Sequence, residues 1–140
     1  TRLADDLVND GFGINQLVYL LAKCVKSGTR LICIEEPEIH LHPTAVRRLA
    51  EVLSEIATKE GKQFLISSHS ETFVLAFLDL VAQEKLKPED LAFYFVQRKG
   101  KETHLERQEV KANGQIEGGL SSFMEAELEG LKAFLKIQRD

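Results

Sequence analysis

Two short stretches of the chain bring together residue types that can do chemistry. The first, Leu31-Ile32-Cys33-Ile34-Glu35-Glu36-Pro37-Glu38, is an apolar run with β-branched content that ends abruptly in adjacent carboxylates. In open α/β sheets, ligands sit at the carboxyl ends of the strands. A carboxylate placed there holds a hard cation directly or through water, and a second one orients or deprotonates an attacking water. The second stretch, Ile66-Ser67-Ser68-His69-Ser70, also marks where an apolar run gives way to a helix start. A helix N-terminus disfavours a cationic ring, so His69 suits the role of a donor to a phosphate oxygen. If the two runs are neighbouring strands, His69 falls beside Glu35 and Glu36. Each stretch alone also has a plainer reading: a strand running out into a solvated acidic turn, and a capping-turn histidine with no ligand.

A third stretch, Asp10-Gly11-Phe12-Gly13-Ile14-Asn15-Gln16, lies upstream of the acidic run. Glycines let backbone N–H groups approach a phosphate, and a helix N-terminus adds partial positive charge. Asn15 can donate through its amide. Any glycine turn before a helix would look similar.

The elements that must position these residues follow from periodicity. From Ile14 the apolar positions recur at Leu17, Val18, Leu20, Leu21, Cys24 and Val25, which predicts a helix capped by Asn15 and stopped at Ser27-Gly28. Leu31 to Ile34 and Phe64 to Ile66 suit strands buried on both faces of a parallel sheet. Pro43 fits the first position of a helix with an apolar face of Val46, Leu49, Leu53, Ile56 and Ala57, ending near Glu60-Gly61. Ser68-His69-Ser70-Glu71 has the form of a capping box. The helix behind it, roughly Thr72 to Gln83, is apolar almost all round and therefore expected to be deeply buried. Leu91 to Val96 reads as a third strand. Thr103 to Val110 reads as a weaker one paired through a turn near Lys99-Gly100, with a further turn at Asn113-Gly114 and a last helix from about Phe123 to Ile137. The alternation implies an α/β sheet with crossover helices.

Taken together, the acidic and histidine stretches resemble the Walker B and switch-loop pair of ATP-binding-cassette ATPases. Glu35-Glu36-Pro37-Glu38-Ile39-His40-Leu41-His42-Pro43 looks especially like the soluble, non-transporter branch: the RecF/SMC-like and OLD-like ATPases and the AAA-type class of AbiEii-like proteins. The resemblance covers about Asp5 to Leu135. It implies a partial P-loop NTPase fold in which residues 1–140 form the C-terminal part of one ATPase domain. Within it, 10–16 would be a signature-like loop, 31–36 the Walker B element and 66–70 the switch loop. By that resemblance Glu35 stands where the family has an aspartate that holds magnesium through water, with one methylene more. Glu36 matches the catalytic glutamate that polarises the attacking water, and His69 the switch histidine that contacts the γ-phosphate. Gly11, Gly13, Asn15 and Gln16 match the signature loop that caps the ATP of a partner subunit, with Asn15 where family members often have Ser. His40 and His42 fall at the family's D-loop, a subunit contact. The implied ligands are ATP and Mg. The implied partners are an N-terminal Walker A half of the same protein and a second copy in a homodimer, with a link to DNA repair or phage defence.

No G-x-x-x-x-G-K-[ST] occurs in the chain, so the residues that cradle the phosphates are expected upstream of it. No D-x-D follows the ATPase half, which argues against the full OLD nuclease architecture. Composition sets further bounds. The 140 residues are 44% apolar and 29% charged, as in an ordinary globular domain or part of one. A formal net charge of −4 offers no electrostatic case for DNA, which stays a partner by resemblance only. Cys24 and Cys33 lie in apolar runs and read as small buried hydrophobes of a reducing, cytoplasmic compartment. No apolar stretch is long enough to span a bilayer and no signal peptide opens the chain. The first residue is Thr1 and no strand falls within Thr1 to Asp10, so the chain reads as cut from a larger protein. Two other functions stand beside the ATPase: an interaction module from a truncated or degenerate cassette, and a metal-dependent hydrolase built on Glu35, Glu36, His40 and His42.

Overall fold

Ile32 and Ile34 lie half-buried on one face of a short strand, β1 (Leu31–Glu35), and pair in register with Phe64 and Ile66 of β2 (Gln63–Ser67). The two strands are parallel. The crossover between them is α2 (Pro43–Glu60), whose sequence carries its own stop and start signals. Pro43 occupies its first turn, where a missing N–H costs nothing. Gly61 ends it in the left-handed conformation, φ 62°, that glycine adopts without a Cβ penalty. Val46, Leu49, Leu53 and Ile56 form its buried stripe, as their spacing predicts. Preceding β1 is α1 (Phe12–Cys24), and following β2 is α3 (Glu71–Ala82), where Phe73 and Phe77 meet edge to face with centroids 5.0 Å apart. This computed structural model describes residues 12–117, and the chain divides into two units, residues 1–80 and 81–140.

In the second unit, β3 (Phe93–Lys99) and β4 (Glu102–Gln108) form an antiparallel hairpin through a turn at Gly100. The hairpin matches the expected turn near Lys99-Gly100, and β3 and β4 form a two-stranded sheet of their own where the alternation suggested a third crossover strand. The Asn113-Gly114 turn closes a single bridge between Val110 and Ile116. The expected helix from Phe123 to Ile137 lies outside the described residues, as do Asp10 and Gly11.

The first unit departs from the sequence expectation in three further places. Among the described residues the parallel pair is covered on one face: Leu31 and Leu65 are 57% and 64% exposed on the other, and Cys33, opposite Leu65 in the register, is exposed with them. A lone crossover helix buries one side of a parallel sheet, and both sides are buried only where helices flank both. Second, α1 starts before Asn15, which sits inside the helix instead of capping it. Third, the N-cap of α3 lies two residues later than the expected capping box, which does not form. Ser70, not Ser68, accepts from the amide of Phe73 (3.3 Å) to cap α3.

Lys62 fixes α1 to the start of β2. Its buried ammonium donates to the carbonyl of Cys24 and, at 3.3 Å, to that of Lys26, and pairs with Glu60 at 2.7 Å. The carbonyls at the end of α1 lack helical partners, and a charged donor to one is worth about 2 kcal/mol.

The cysteines give a direct check on this arrangement. Burial pushes the Cys24 thiol up, against the opposing pull of the Lys62 charge, whereas Cys33 is exposed. Only thiolate reacts with iodoacetamide. Brief alkylation of the native 140-residue chain followed by peptide mass spectrometry is expected to modify Cys33 and spare Cys24 until denaturant is added. Equal labelling of the two would contradict the fold.

Candidate functional site

Glu35 closes β1, and the ladder to β2 runs one residue further, the Glu36 amide donating to the Ser67 carbonyl at 2.9 Å. There the chain turns sharply. Glu36 and His40 take φ values of 42° and 64°, left-handed conformations that cost a non-glycine residue about 1–2 kcal/mol each. Between them Ile39 N–H donates to the Glu36 carbonyl (3.2 Å) and Leu41 N–H to that of Glu38 (3.0 Å). His42 then caps α2, its Nδ1 accepting from the Thr44 amide at 3.3 Å. Backbone strain kept in place by a strand on one side and a helix on the other is typical of sites where a side chain must be aimed.

At the end of β2 the chain makes a second turn. Ser68 Oγ accepts from the Ser70 amide at 3.0 Å and donates to Glu38 Oε1. Between these serines His69 stands out, its side chain 91% exposed, with Nε2 3.4 Å from Glu36 Oε1. The strands are thus neighbours, Glu35 faces Ser67 in the register, and His69 lies beside Glu36.

A cleft of about 370 Å³ opens on the acidic turn, lined by Glu35, Glu36, Ile39, His40 and Gln16. Gln16 comes from the first turns of α1, so the glycine-bearing segment and the acidic turn of the same chain share this cleft. Gly13 and Asn15 are helical there, not part of a loop. A Cβ on Gly13 would stand 2.6 Å from the carbonyl oxygen of His40, so the missing side chain is what lets α1 close onto the turn. Gly11 lies outside the described residues. Among the described residues no three His, Cys, Asp or Glu side chains come close enough to hold a metal between them. His40 and His42 therefore do not join Glu35 and Glu36 in a protein-built metal centre. Two carboxylates without further protein ligands suit a cation that keeps several waters and shares phosphate oxygens, as magnesium does.

Sequence reasoning missed two members of this cluster. Glu38 was visible as the last acid of the run and Ser68 as a helix-start serine, but their direct hydrogen bond depends on the parallel register.

No helix among the described residues is long and apolar enough to cross a membrane. No curated protein and no solved structure matches the chain. The family described as "AAA domain, putative AbiEii toxin, Type IV TA system" matches residues 7–76, half of the 140 residues, and that match spans the first turns of α1, the acidic turn and the histidine turn. The chain belongs to this AAA-domain family, one of nucleotide-binding, ATPase-type domains.

Proposed function

We propose that this chain supplies the hydrolytic half of an ATP-binding-cassette-type ATPase head, with Glu35 and Glu36 as its Walker B acids and His69 as its switch histidine. The observation that carries the reading is the meeting of Glu36 and His69, from two different strand ends, 3.4 Å apart beside an acidic cleft. Glu36 accepts a proton from the attacking water, from a left-handed turn directly after β1. His69 donates to the phosphoryl oxygens, reaching out from the exposed turn. Glu35 holds the hydrated magnesium, which when bound supplies charge neutralisation at the phosphates. Upstream residues of the complete protein supply the Walker A loop, and a second copy faces the first with the start of its α1, Gly13 to Gln16, on the nucleotide. A link to DNA repair or phage defence fits this branch of ATPases.

Calorimetry with ATP and magnesium tests the division of labour. The 140-residue chain is expected to bind weakly or not at all, because the phosphate loop and its Lys make most phosphate contacts in P-loop enzymes. The complete protein is expected to bind and hydrolyse. Micromolar affinity for the 140-residue chain would overturn the assignment of phosphate binding to upstream residues. A complete protein that binds ATP without turnover would assign the chain a binding role only.

A further inference from the structure

Glu38 is 9% exposed and carries a carboxylate that the hydrolytic reading leaves without a task. Burying a carboxylate is costly unless it is well partnered. Here Oε1 accepts from Ser68 Oγ, while the buried Oε2 has no protein partner. A residue kept under those terms is there for what it holds.

What it holds is the histidine turn. Ser68 Oγ accepts from the Ser70 amide and donates a hydrogen bond to Glu38, so one hydroxyl joins both ends of the segment around His69 to the acidic turn. On the other side, Glu38 is bracketed by the hydrogen bonds Ile39 to Glu36 and Leu41 to Glu38. A closed path results: the Glu36 carbonyl accepts from Ile39, whose chain neighbour Glu38 accepts from Ser68, whose chain neighbour His69 reaches back to the Glu36 carboxylate. The His69 side chain is 91% exposed. Little packing holds it, so its distance from Glu36 is set by the backbone that Ser68 anchors.

We propose that Glu38 is a positioning residue: through Ser68 it latches the histidine turn to the acidic turn and so sets His69 at Glu36. The proposal rests on the hydrolytic reading of Glu36 and His69. It goes beyond that reading by giving the third acid of the run a separate task, neither base nor metal ligand. Gln keeps an acceptor at Oε1, so a latch that works through an accepted hydrogen bond survives Glu38→Gln, whereas one that works through charge does not.

The test uses the complete protein with Glu38→Ala, Glu38→Gln, Ser68→Ala and the double Ala variant. Steady-state hydrolysis is measured together with the histidine side-chain NMR signal of His69, assigned by His69→Gln. Glu38→Ala and Ser68→Ala are each expected to lower kcat about 10- to 100-fold, the scale on which misplacement of a reacting group acts, with KM for ATP little changed. The double variant should be no slower than the slower single one, since one bond is lost in each case. Glu38→Gln should retain most of kcat. The His69 signal should move in both Ala variants and stay in place in Glu38→Gln. Equal damage from Glu38→Gln and Glu38→Ala would make the charge itself the working feature and overturn the latch. Additive losses in the double variant, or an unmoved His69 signal in Glu38→Ala, would overturn it too. Should Glu38→Ala fail to fold, Ser68→Ala and Glu38→Gln still decide the matter. Failure of the hydrolytic reading looks different: Glu36→Gln would turn over normally while His69 still moved on loss of Glu38.

Discussion

Glu36→Gln in the complete protein is expected to cut ATP turnover by roughly 100-fold or more while leaving nucleotide binding in place, the usual range for loss of a general base. The amide has the shape of the carboxylate and suits the same left-handed turn, so the φ of 42° and the bond from the Glu36 amide to Ser67 stay as they are. What disappears is the capacity to take a proton from water. Single-turnover hydrolysis and equilibrium binding of the same preparation separate the two effects. Near-normal hydrolysis would remove Glu36 from the base role and move it along the acidic run. Glu35 would then be the replacement, because it lines the cleft, whereas Glu38 is buried against Ser68.

The second large effect is a recovery. Asn15→Arg places a bulky cation on the first turns of α1, and Glu36→Gln leaves the attacking water unactivated. Each variant alone should be inactive, since both sites of either homodimer carry one lesion. If the α1 turn serves the partner's nucleotide, a mixed dimer has one site with both partners intact and one with both lesions. Mixing should then restore measurable hydrolysis, up to about half the wild-type rate per mixed dimer if each site turns over independently. The shared cleft of Gln16 with Glu35 and Glu36 gives this experiment its edge, because it places the same turn beside its own acidic residues as well. If the turn works within its own chain, every site keeps a lesion. A flat rate across all mixing ratios, with mixed dimers shown to form, would count against the two-headed arrangement.

Local chemistry made much of the first unit legible from its sequence. Pro43, the Val46–Ile56 stripe and Gly61 delimit α2 because start, face and stop are all short-range signals. The two apolar runs declared themselves as strands, and their parallel pairing followed from the helix between them. Burial was less legible: Leu31, Cys33 and Leu65 have core-like side chains, yet which face of a sheet is covered depends on what packs there, and spacing carries no such information. The start of α1 was also misread, because Asn15 is a good cap in the abstract but the helix begins earlier, where Gly13 can approach the turn. At the candidate site, residue types pointed to Glu35, Glu36 and His69. The Glu38–Ser68 bond joins positions thirty residues apart and exists only once the register is set.

Gly13 shows how narrow a requirement a sequence can carry. In a helix, alanine is ordinarily better than glycine by about 1 kcal/mol. At position 13 that preference meets the His40 carbonyl oxygen, 2.6 Å from where the added carbon would sit. Backbone on both sides leaves no flexible side chain to yield, and overpacking of this kind costs about 1–3 kcal/mol. The other nineteen amino acids all begin with that same carbon, proline included. The constraint at this position is therefore not one of size, charge or hydrophobicity. It is the presence of one atom, which even the smallest substitution would bring into the His40 carbonyl.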